Sequence, residues 1–165
     1  MTKLLTLTLA LAGAASAFAQ ATPPPPDKTT INLFADINRK VLEMAQDFPE
    51  EHYGFKPKHE MRSFGDVIVH IASGNVFAAK RGRGENVNWD ELDPKQYKTK
   101  ADIVAALKKS IDDANATLKS WEPAMFQKTI QPWASVTEHS AEHYGLLVAY
   151  YRLNGLVPPE SRPKK

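Results

Sequence analysis

The 165-residue chain has no cysteine. That removes disulfides, with which small exported domains are often stapled, and any thiolate ligand for a metal. It also removes a lipid-modified N-terminal cysteine. Charge of one sign is lacking too: there are 21 basic and 19 acidic residues. Such a balance gives no field that favours nucleic acid or an anionic membrane. After the first residues no apolar run approaches the length of a membrane span. Stability has to come from core packing, with or without a metal.

The N-terminus reads as a secretory signal. Lys3 gives a short basic start, Leu4 to Ala12 is apolar, and Ala17-Phe-Ala19 places small residues at A-x-A spacing. Cleavage is expected after Ala19, with Ala17 as the second choice. Lys3 is the one charge in residues 1–19, so the mature balance falls to +1. The expected organisation is a signal peptide at 1–19, a proline-rich linker at 20–29, one domain at 30–157 and a charged, Pro-rich tail at 158–165 that lies on the surface or frays. The protein is expected to be exported, periplasmic or secreted, with no membrane association after cleavage.

Apolar spacing predicts four helices, at about 30–47, 64–80, 100–121 and 136–154. The third shows the clearest stripe, with Val104, Leu107, Ile111, Ala114, Leu118 and Trp121 at alternating three- and four-residue steps. The fourth carries Val136, Leu146, Leu147, Tyr150 and Leu153, then Gly155 at its end. Ser63-x-x-Asp66, Thr99-x-x-Asp102 and Ser135-x-x-Glu138 each read as a capping box. Four one-striped helices make an all-α four-helix bundle. The connection between the second and third helices, about 81–98, is long enough to cross the bundle, so the helix directions stay open.

Of five histidines, His52 and His59 fall in a polar connection and read as solvated. His139 and His143 share a face. At about 100° per residue, His143 lies about 40° from His139, Leu146 about −20° and Tyr150 about 20°. Both imidazoles therefore sit in the apolar stripe of the fourth helix. His70 lies near the edge of the stripe of the second. Each buried polar group left without a partner costs about 1–3 kcal/mol, and a divalent metal would satisfy all three rings at once. Three histidines without cysteine suggest an open site in which a fourth position is left for water or substrate. Zinc is the default, and nickel, iron or manganese would accept the same ligands. Glu142, beside His143, is a candidate catalytic base, and Asp66 has capping as its primary role. The string His139-x-x-Glu142-His143 also fits a zinc-protease motif. That motif needs a distant downstream acidic ligand, and only 22 residues follow His143.

Met61-Arg-Ser-Phe-Gly-Asp-Val-Ile-Val-His70-Ile, His139-Ser-Ala-Glu-His143-Tyr-Gly-Leu-Leu and the ending Tyr151-Arg-Leu-Asn-Gly-Leu-Val-Pro-Pro-Glu-Ser161 resemble the DinB family of metal-binding four-helix bundles. The resemblance covers most of the mature chain. It implies a divalent metal held by His70, His139 and His143. Many members have His-Arg-Gly-Gln at the last ligand, where this chain has His143-Tyr-Gly-Leu. Relatives include transferases and isomerases that use cytosolic thiols, a cosubstrate at odds with export. The functions expected are a metal-dependent hydrolase or transferase of a small molecule, a non-catalytic metal- or ligand-binding bundle, or a bundle whose histidines only pack. The partner is expected to be a small-molecule substrate or ligand, and a homodimer is left open. Tyr144, Tyr150, Tyr151 and Trp133 read as core before pocket, Asn115-Ala-Thr117 as an accidental glycosylation match, and Arg81-Gly-Arg-Gly84 as a solvated loop whose alternative is gripping an anion.

Overall fold

A computed structural model describes residues 26–163. The expected signal peptide, most of the linker and the last two residues lie outside the described residues. Four long helices, α1 (Pro26–Asp47), α2 (Phe64–Gly82), α3 (Lys100–Lys119) and α5 (Trp133–Leu153), are joined by a short one, α4 (Pro123–Lys128). There is no strand among the described residues, and no helix there is long and apolar enough to cross a membrane. The all-helical bundle is as the periodicity predicts.

Two helix starts follow their local chemistry. Ser63 and Thr99 each cap a helix and exchange hydrogen bonds with Asp66 and Asp102, closing both capping boxes. The third expected box does not form. Helix α5 begins at Trp133, with Pro132 at the cap position and no side-chain cap. The Ser135 hydroxyl instead donates to Gln131 Oε1 at 2.7 Å. Trp133 is fully buried against Phe34 and Trp121, so packing draws this helix start ahead of the sequence signal. At the other end Gly155 adopts φ of 70°, the left-handed conformation that ends helices. Leu153, expected in the core stripe, is 62% exposed. The first helix opens at Pro26 and so takes in the last four residues of the expected linker.

Helix directions follow from which ends meet. Phe48, just past α1, stacks on Phe64 at the start of α2 (3.8 Å between ring centres) and packs on Tyr151 near the end of α5. Lys100, at the start of α3, donates from Nζ to Phe48 O at 2.8 Å. At the opposite end Trp121 Nε1, just beyond α3, donates to Gly82 O at 2.8 Å. Thus α2 and α3 run one way, α1 and α5 the other. Each helix packs on two neighbours, α2 on α3 and α5, α1 on α5 and α3. Because α2 and α3 are parallel, segment 83–99 has to travel the length of the bundle.

The core has two apolar clusters, one around Phe48, Phe64, Leu107, Tyr150 and Tyr151 and the other around Phe34, Ala114, Leu118, Phe126 and Trp133. Trp133, Tyr150 and Tyr151 are therefore core residues, as their type suggests. Residues 159–163 of the tail lie on the surface, held to the bundle. Pro158 is buried, residues 159–161 make a 3-10 turn, and the Arg162 guanidinium reaches both Asp47 oxygens at 2.8 and 2.6 Å.

Candidate metal centre

The three interior histidines meet half-way along the contact of α2 with α5. His70, His139 and His143 each offer a ring nitrogen, and these atoms lie within 4.8 Å of one another. Ring centres are 4.8 Å apart for His70 and His139, 4.7 Å for His70 and His143, and 4.6 Å for His139 and His143. His70 Nε2 and His139 Nε2 are 3.0 Å apart. Ligand nitrogens about 2.0–2.1 Å from a tetrahedral ion stand about 3.3 Å apart, so this pair has near-ligand spacing. His52 and His59 are elsewhere: His59 is exposed, and His52 lies in a 3-10 turn with its ring 6.1 Å from that of Phe48.

Burial holds two of the rings towards the neutral form. Burial, with smaller contributions from His143 and His70, lowers His139 to about 4 from an ordinary value of 6.5. Burial, then His70, lowers His143 as well. Neutral imidazole is the form that binds a metal. His139 Nδ1 is buried without a hydrogen-bond partner, in a region where such a group costs about 1–3 kcal/mol. Three ring nitrogens converging from two helices, one pair at near-ligand spacing, fit a divalent ion better than a packing role.

Gly74 makes the convergence sterically workable. A Cβ placed there would stand 2.8 Å from His139 Nδ1 and 3.0 Å from its Cε1. No other residue type leaves room for that ring against α2.

The long 83–99 segment supplies two residues that periodicity does not reveal. Glu91 Oε1 accepts from His70 Nδ1 at 2.9 Å, and the same carboxylate is paired with Arg62. Burial pushes the Glu91 carboxyl up, but the hydrogen bonds from Arg62 and His70 outweigh it and hold it below its ordinary range. With Nδ1 donating to Glu91, His70 turns its Nε2 towards the other histidines. A carboxylate behind a histidine is a common support for metal ligands. Trp89 lies over the cluster, 5.7 Å from His70 and 5.9 Å from His139 between ring centres. Ser73 Oγ accepts from Leu92 N at 3.0 Å and fixes the segment against α2.

Glu142 is exposed on α5 and makes no hydrogen bond to the three histidines; its charge raises the pKa of His143 only in part. Asp66 is committed to its cap. Beside the cluster, between the C-terminal half of α2, residues 86–89 and residues 129–136, lies a groove of about 860 Å³ with His139 in its wall.

A family model described as the DinB superfamily matches residues 33–151, which contain all five helices except the ends of α1 and α5. Comparison with curated proteins finds no match.

Proposed function

The chain belongs to the DinB superfamily, and on that premise we propose that it is an exported protein in which His70, His139 and His143 hold one divalent metal, zinc by default, for hydrolysis or group transfer on a small molecule. The observation that carries this reading is the convergence of three imidazoles, one of them, His139, in the wall of an open groove. Three nitrogen ligands leave a position for substrate. When bound, the metal would supply Lewis acidity to a carbonyl or phosphoryl oxygen.

The chain's own residues have the remaining parts. Glu91 holds the His70 proton at Nδ1 and fixes the ring. Trp89 covers the cluster and limits access of water from the loop side. Glu142 is the candidate proton carrier, one side chain from His143 but exposed. That exposure favours a second reading, a bundle that binds metal or ligand without turnover.

Protein from the exported fraction should begin near Gln20 by mass spectrometry. Stripped of metal and reloaded with zinc, it should hydrolyse or transfer groups on small ester, amide or thioether substrates only when loaded, and Glu142→Gln should slow turnover. Full loading with no turnover across such a panel would support the non-catalytic binder instead.

A further inference from the structure

One helical stripe of α2 runs from the histidines to a lone cation. His70, Gly74, Phe77 and Arg81 are spaced four, three and four residues apart, so they share a face about 60° wide. The last three line the groove. Arg81 belongs to the last turn of α2, not to a loop as its Gly-rich surroundings suggest. Among the described residues it is the only charged side chain in the groove wall, and no carboxylate there lines the groove.

Of the six arginines, Arg39, Arg62, Arg83 and Arg162 are each paired with carboxylates; of the other two, Arg81 and Arg152, Arg81 is the one that lines the groove. Arg83, two residues away, is engaged by both Glu85 and Asp113. The Arg81 side chain makes no ion pair or hydrogen bond among the described residues, and its carbonyl accepts from Gly84 N at 2.9 Å. A guanidinium left open beside a concave surface suits a planar oxyanion, which it can hold by two parallel hydrogen bonds. Between Arg81 and the histidines the wall is aromatic: Phe77 and Trp89 meet edge to face, 5.6 Å apart. The opposite side is Pro132 and Val136, with neutral polar groups at the rim. A groove of about 860 Å³ is in the range that holds a small organic ligand.

We propose that the groove binds a small molecule with an oxyanion at Arg81 and a flat apolar body against Phe77 and Trp89, its other end directed at the three histidines. The helix sets its length. From Gly74, against which the His139 ring lies, to Arg81 is seven residues, or about 10 Å of rise, and this sets the span between the oxyanion and the histidine-facing end. The metal reading is needed only for what the far end meets; the oxyanion contact stands on Arg81 and the groove.

The test is binding of 4-phenylbutyrate and of its neutral amide to the full mature chain, by calorimetry, with and without zinc. Wild type is expected to bind the carboxylate at least about tenfold more tightly than the amide, in either metal state. Arg81→Gln should abolish that preference and leave amide binding and zinc stoichiometry unchanged, while Arg81→Lys should restore part of it. Equal binding of carboxylate and amide by wild type, or no binding of either, would overturn the proposal. So would a preference that survives Arg81→Gln, since it would put the carboxylate on the metal. Arg81-dependent binding in a chain that takes up no zinc would uphold the anion site and count against the metal reading alone.

Discussion

Around Phe48, Phe64 and Tyr151 the helices meet in a closed core. Half-way along, where α2 meets α5, the same helices leave buried polar atoms without partners. In the closed end each tyrosine hydroxyl is satisfied: Tyr53 donates to Ala45 O, Tyr151 to Met44 O at 2.8 Å, and Tyr150 to Arg62 O at 2.5 Å. The buried side-chain atoms lacking a partner among the described residues are Asn75 Oδ1, Trp133 Nε1, His139 Nδ1 and Ser140 Oγ, all on α2 or α5. Orphaned groups at about 1–3 kcal/mol each are a large fraction of a total stability of about 5–15 kcal/mol. Among the described residues one region is satisfied throughout. In the other, His139 Nδ1 is the orphaned atom that lies among the histidines and beside the groove, whereas Trp133 belongs to the far core cluster and Asn75 faces Asn38 and Ser110. The difference teaches where function resides in a fold whose composition gives little hint of it.

The sharpest way to break this contrast is to exchange the consequences of mutation. Phe64→Ala, in the closed end, should cost about 3–5 kcal/mol in urea unfolding, with zinc uptake per folded chain unchanged. Glu91→Gln, beside the histidines, should do the reverse: metal affinity falls about 10- to 100-fold by competition titration, with a small change in metal-free stability. Gly74→Ala should weaken zinc binding through His139, because its Cβ has no room beside that ring. If Gly74→Ala binds zinc as wild type does, His139 is not held where α2 places it.

Acid should separate the regions as well. Burial lowers His139 to about 4, so in the metal-free protein the unfolded chain takes up this proton first as pH falls. Its contribution to stability is full above about pH 6.5, declines towards pH 4 and changes no further below that. In the closed end the Arg162 guanidinium holds Asp47 below its ordinary 3.8. That contribution is present above pH 3.8 and is lost as pH falls through the lowered value. Denaturant titrations across pH should show the first slope reduced in His139→Leu and the second reduced in Arg162→Gln. The smallest effect is a control. Gly145 on α5 has open space where a Cβ would stand, so Gly145→Ala should stabilise by about 0.5–1 kcal/mol without altering zinc affinity.

Repeating chemistry was legible in the sequence. The four long helices follow from apolar spacing, two starts from capping boxes, and the three histidines from their shared faces. What escaped depends on contacts distant in the chain. Helix α4 has six residues and one buried side chain, Phe126, too little for a period to register. Glu91 and Trp89 lie in residues 85–93, which have no regular structure, and what sends them to His70 is the parallel run of α2 and α3, which spacing leaves open. The pinned tail depends on Arg162 finding Asp47, 115 residues away. Ser135-x-x-Glu138 misled because burial of Trp133 outweighed a local cap.

The most direct test of the account is metal content per chain, by elemental analysis of protein purified without a metal-affinity tag, for wild type and His143→Ala. The account predicts close to one divalent ion per wild-type chain and a small fraction of that in the variant. No metal in wild type, even after incubation with zinc or nickel, or equal metal in both proteins, would contradict it.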